Sequence, residues 1–246
     1  MPTLVRTELL AVRTTRLPWA LLTGAVLLTA ALSVNSVVQA GTAGAPSIGT
    51  AAAMLAVVGA TGPGRLVTLL LGVLAVTAEF RHATVTATFI RTPQRARVLA
   101  AKAAAIVVVA VIVAAVDLAV ALAVGLATGA VTPALLNGDV AVHAAGLLLA
   151  YPLYGLIGVA AGALIVHQPV AVLLPLAWVL YLEGFALTLA PEAAARWSLN
   201  GVTAALAHSG TLPDVLPTAA GGAVLTAYTL LLLALGAARL ARRDIT

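Results

Sequence analysis

The chain contains no cysteine, which excludes disulfides and thiolate metal sites. Charge is scarce: only 9% of the 246 residues are Asp, Glu, Lys or Arg, while 62% are hydrophobic. A soluble domain is nearer one quarter charged and one half apolar, so no soluble core of this length hides so much apolar surface. Aromatic residues make up 4%, and lysine occurs only as Lys102. No GxxxxGK[ST] phosphate loop is present; "GATGPGR" lacks the spacing, the Lys and a preceding strand. His143, His167 and His208 are too scattered to assemble a metal site. Net charge is +5, yet no basic helix or aromatic–basic surface is large enough for nucleic acid, so none is expected as a partner.

What is present in quantity is long apolar runs. About 20 apolar residues in a helix cross a bilayer, and six segments qualify: Pro18–Val38, Gly62–Ala78, Ala103–Gly125, Val142–Val166, Pro169–Leu189 and Ala219–Ala238. Ile48–Val58 reads as a short helix at the outer surface, with a longer, kinked second span as the alternative. The expected fold is all-α and polytopic, one transmembrane domain over residues 1–246. With the N-terminus in the cytoplasm, Arg6, Arg13, Arg16, Arg81, Arg91, Arg95, Arg97, Lys102, Arg239, Arg242 and Arg243 face inward. Only Arg65 and Arg196 face outward, a positive-inside balance that puts both termini in the cytoplasm. A cleaved secretory signal ending at "VVQA" is the rival for residues 1–40. The apolar stretch Trp19–Val38 is long for a signal core, and so much chain precedes it that an uncleaved span is expected.

Residues 1–17 place Val5, Leu9 and Val12 on one side and Arg6 and Arg13 on another, the pattern of a surface helix, with Pro18 as its separator from the first span. On this topology the stretch 79–102, "EFRHATVTATFIRTPQRARVLAAK", is the only sizeable cytoplasmic loop, because "HQP" alone joins spans four and five. Thr84–Phe89 alternates polar and apolar residues, which by period favours a strand. A lone strand beside a bilayer has no ladder partner, which favours a short helix. Membrane-surface anchoring by arginine near anionic lipid is the plainer reading of the same loop.

"GVLAVTAEFRHATVTATFIRTPQRARVLAAK" and the closing "RRDI" resemble the permease subunit of type-2 ATP-binding-cassette exporters, especially the short actinobacterial kind. Glu79, Arg81, His82, Thr84, Pro93, Arg95 and Lys102 stand where that family's pattern places them. Ala83 replaces a common Gly, and Gln94 a second basic residue. The resemblance implies an amphipathic elbow helix at residues 1–17 and a coupling helix between spans two and three. It further implies a multi-pass bacterial cell (inner) membrane protein that exports its cargo. In such a protein a separate ATP-binding subunit holds ATP and Mg, this chain binds no cofactor and is not an enzyme, and a second permease copy completes a homodimer or heterodimer. Val85 and Phe89 would plug a groove of the ATPase. Arg81 and Arg91 would steer docking, with Glu79, His82, Thr84, Thr88 and Pro93 completing the coupling surface.

Two acids lie inside spans. Asp117 and Glu183 each sit about 20 Å above the cytoplasmic start of their helix at 1.5 Å per residue, and are therefore expected at one depth. Intramembrane carboxyls are costly and by default line a path, here one suited to a hydrophobic or amphipathic cargo. The alternative is structural glue to Tyr181, a threonine or Arg65. Gly158 and Gly162 form a GxxxG, with Gly155 a turn earlier, consistent with close helix packing. Tyr151, Tyr154, Trp178 and Tyr181 line a cavity or fill the bundle. Residues 190–218 form the longest outer loop, in which "AAARWSLNGVTAALAH" would lie flat as an interfacial helix with Trp197 at headgroup level. Two other readings compete with the permease. A proton-coupled secondary transporter using Asp117 and Glu183 would favour an internal repeat, and the first and last three spans show none. A membrane enzyme would need a Ser–His dyad, a His-Glu-x-x-His or a carboxylate–His cluster, and none occurs within the spans.

Overall fold

The computed structural model describes residues 2–42, 47–82, 94–132, 138–207 and 216–242. Helices α1 (Pro2–Thr14) and α2 (Arg16–Val38) part at Thr15, which is extended. The sequence placed that break at Pro18. Pro18 instead sits in the first turn of α2, where its missing N–H has no helical acceptor to lose. The hydroxyls of Thr14 and Thr15 bond back to Leu10 O and Ala11 O at 2.8 Å each, and Ala11 O also accepts from Thr15 N at 3.2 Å.

Helix α3 (Ala51–Gly59) is capped by Thr50, whose hydroxyl accepts from Ala53 N at 3.2 Å. After Ala60 and Thr61, α4 (Gly62–Arg81) starts with a proline in its first turn. Helix α3 buries Ala53, Met54, Val57 and Val58 in the angle between α2 and the next helix, α5 (Arg95–Ala127). Ser33 of α2 donates to Val57 O at 3.2 Å.

There follow α6 (Gly138–Ile165) and α7 (Gln168–Ala177), the latter running through a π turn (Trp178–Leu182) into α8 (Glu183–Thr188). Pro175 precedes the π turn; lacking an N–H, it frees a carbonyl and permits the ladder to slip by one residue. A 3-10 turn (Glu192–Trp197), α9 (Leu199–Ala207) and α10 (Thr218–Ala241) complete the described residues, among which no strand occurs. Six stretches are long and apolar enough to cross a membrane: Arg16–Val38, Ala51–Arg81, Arg95–Ala127, Ala141–Ile165, Gln168–Thr188 and Thr218–Ala241. The protein is an all-helical chain with six candidate membrane spans.

The centre of the bundle is the α4–α6 crossing. A Cβ on Gly158 would fall 2.0 Å from Leu69 O, and one on Gly72 would fall 2.1 Å from Gly155 O. Gly162 faces Val73 O and Gly155 faces Ile106 of α5, so the stripe seen in the sequence lets two backbones touch. Thr68 crosses this seam to donate to Tyr151 O at 3.0 Å, the residue just before Pro152 inside α6. Around this axis Leu71, Val76, Leu99, Ile106, Val159 and Leu240 form one core cluster, while Leu69, Tyr154, Val179, Val202 and Leu225 belong to a second. Outward, α2, α5, α7 and α10 present Leu27, Ile112, Leu173 and Leu230, which hydrocarbon solvates as well as protein does.

Between α6 and α7 only Val166 and His167 intervene. Val166 has φ 61°, a left-handed conformation that costs a β-branched residue about 1–3 kcal/mol.

Candidate functional site

At the end of the bundle that carries α1, here called the base, the ends of several helices are tied together by polar side chains. Lys102 of α5 is buried and donates to both carboxylate oxygens of Glu8 in α1, at 2.9 and 3.0 Å, and to Glu79 Oε1 of α4 at 2.6 Å. The chain's single lysine thus binds its first two acids, the three side chains coming from three helices. Charged, hydrogen-bonded groups of this kind fix geometry more surely than they add stability, and removing one partner strands the others. Arg81 donates to Gln168 Oε1 at 3.2 Å, joining the end of α4 to the start of α7. Arg95 donates to Leu240 O at 2.9 Å, an acceptor at the carbonyl end of α10. A cavity of about 350 Å³ opens beside the cluster, lined by Glu8, Leu71, Glu79, Lys102 and Gln168 among others.

Helix reaches further into the stretch 79–102 than the sequence suggested. Glu79 and Arg81 lie in the last turn of α4, His82 caps it, and Lys102 is two turns inside α5. Thr84, Val85, Thr88, Phe89, Arg91 and Pro93 fall outside the described residues.

The second polar site lies at the other end of α4. Asp117 is fully buried in α5, and its Oδ2 sits 2.9 Å from the Tyr151 hydroxyl of α6. The same hydroxyl meets Thr61 O, in the joint between α3 and α4. Gly64 makes room for the carboxyl, since a Cβ there would fall 1.6 Å from Oδ2. Asp117 Oδ1 and the hydroxyls of Thr29 and Thr61 are buried without a hydrogen bond. Nearby, the Arg65 guanidinium stacks 4.7 Å from the Tyr154 ring, a cation–π contact, and Tyr154 OH lies 3.1 Å from Thr203 Oγ1.

Glu183 occupies different surroundings. Its carboxylate accepts from Leu199 N and, at 3.0 Å, from Asn200 N. It therefore caps the first turn of α9, where free N–H groups and the helix dipole favour an anion. Asn200 Nδ2 in turn donates to Val179 O inside the π turn at 2.8 Å. The partner is neither Tyr181, which is 73% exposed, nor a threonine, nor Arg65. This anchorage holds α9 inward, where Val202, Ala205 and Leu206 are buried against α6 and α10. The helix expected within the outer loop is present over Leu199–Ala207 and packs against the bundle.

Tyr151 and Tyr154 are buried within the bundle, whereas Trp178 and Tyr181 point outward; Trp178 borders an apolar cavity of about 590 Å³ with Leu69, Ile157, Leu174 and Tyr228. Among the described residues no three His, Asp or Glu side chains gather as metal ligands. Sequence reasoning did not find Glu8, Thr61, Gly64 or Asn200. Only Glu8 left a signal, as the sole acid before Glu79. Compared with protein-family models and with characterised proteins, the chain matches none.

Proposed function

We propose that this chain is the membrane-spanning permease subunit of an ATP-binding-cassette exporter, driven by a separate ATPase that docks on the segment between α4 and α5. One observation carries the reading: the stretch that resembles the family's coupling region has its two stems, at Glu79 and Lys102, ion-paired to each other, and Lys102 is ion-paired also to Glu8 of α1. A push on the segment they bracket reaches α1, α4 and α5 together. With Phe89 and Val85 as the apolar plug and Arg81 and Arg91 as steering charges, closure of two ATPase subunits would tilt these helices and alternately open the path. Two permease copies are required, as the same chain twice or as a pair of similar chains. Asp117 is the side chain proposed to meet a hydrophobic or amphipathic cargo; Glu183 acts on the path through the position of α9.

The test is co-purification of the permease with a separate ATP-binding subunit expressed alongside it. Phe89→Asp combined with Arg91→Glu is expected to release the ATPase while the permease keeps its melting temperature. Undiminished association of that variant rejects the coupling role. The proton-coupled rival is separated by the same preparation: transport by the permease without any ATPase, lost in Asp117→Asn, would select it.

A further inference from the structure

Next to the Lys102 cluster's cavity, with which it shares Val12 and Pro18, α1, α2 and α5 enclose a groove of about 470 Å³, within the usual range of about 300–1,000 Å³ for small-molecule sites. Its walls are apolar: Leu22 and Val26 from α2, Val113 and Val116 from α5. Its polar mouth is formed at the α1–α2 corner by Arg13 and Trp19. Trp19 Nε1 donates to Arg13 O at 3.0 Å, which holds the indole across the opening. At 1.5 Å per residue the walls climb about 10–12 Å from mouth to tip, close to the roughly 15 Å depth of one leaflet's hydrocarbon. Arg13 and Arg16 are both exposed, and the ion pairs found among the described residues involve neither of them.

We propose that this groove seats an anionic phospholipid, one acyl chain lying along α2 and α5 and its phosphate on Arg13 and Arg16. Charge complementarity selects the occupant. A uniformly apolar slot accepts any acyl chain, but two uncommitted arginines at headgroup depth favour a net negative head. Trp19 marks that depth, because an indole settles at the interface of water and hydrocarbon. The inference rests on the membrane-spanning fold and not on the transport reading.

The test uses full-length protein in nanodiscs, with Trp178→Phe and Trp197→Phe leaving Trp19 as the only tryptophan. Phosphatidylglycerol or phosphatidylcholine with brominated acyl chains is added at equal, low mole fraction, and quenching of Trp19 is read. Brominated phosphatidylglycerol is expected to quench more strongly. Arg13→Gln and Arg16→Gln should each reduce that preference by about fivefold, the factor for one arginine at a charged surface. Arg13→Lys keeps the charge and should keep the preference, while Val113→Phe fills the slot and should suppress quenching by both lipids. Equal quenching by the two lipids in the parent protein overturns the proposal before any variant is needed. So does a preference that survives both glutamine substitutions, or one that is lost equally with lysine.

Discussion

Helix α6 and the α7–π–α8 helix are joined by two residues and are both long and apolar, yet their places in the molecule are opposite. Of the apolar core of α6, 67% is buried in the bundle, against 17% for its neighbour. In water such a difference would be read from polarity, but lipid tails are as apolar as leucine, so polarity decides nothing here. Small residues decide it instead. Helix α6 carries Gly155, Gly158 and Gly162 where α4 and α5 come close, whereas Gly184 meets nothing within 4 Å. The two membrane acids follow the same division. Asp117 is held by a side chain of the packed helix, Tyr151, while Glu183, on the sparsely packed one, takes its partners from the backbone of α9.

The contrast is broken most severely at the glycine stripe. Gly158→Val drives a branched side chain into the carbonyl of Leu69 and should cost about 3 kcal/mol, read as a lower melting temperature in detergent. Next comes Glu183→Ala, which strips the acceptor from two α9 amides at a cost of about 2–3 kcal/mol. Glu183→Gln retains one acceptor oxygen and should lose less. The joint between the two helices predicts a gain: Val166→Gly relieves the positive φ and should add about 1 kcal/mol, the strain relieved less the entropy of glycine. Asp117→Asn should cost only about 0.6 kcal/mol, the typical worth of one interhelical bond in a membrane protein, so any large loss of transport in it reports on function rather than folding. Smallest of all, Phe185→Ala on the exposed face of α8 should stay within about 0.5 kcal/mol of the parent. A Phe185→Ala effect as large as that of Gly158→Val would erase the distinction between the two helices.

How much of this was readable in advance depends on how far apart the partners lie. The six apolar runs, the short joint between the fourth and fifth and the Gly155–Gly162 stripe are local patterns, and each is visible in the sequence. Asp117 was visible as an oddity, but the hydroxyl beside it belongs to Tyr151, 34 residues away. Glu183 resembled Asp117 in sequence because a buried acid that meets a helix N-terminus and one that meets a tyrosine look alike in one dimension. Residues 199–207 were apolar enough to be packed, yet nothing local showed that Glu183 would hold them inward. The Lys102 cluster was half legible: Glu79 and Lys102 stood out as the ends of a charged stretch, but Glu8 reaches them across 94 residues.

The account depends on which side of the membrane the segment between α4 and α5 occupies, and the absence of native cysteine makes that directly measurable. His82→Cys and Thr88→Cys should resist a membrane-impermeant maleimide in intact cells and react after permeabilisation, which puts the segment where an ATPase can grip it. Labelling of either position from outside intact cells would contradict the proposed coupling.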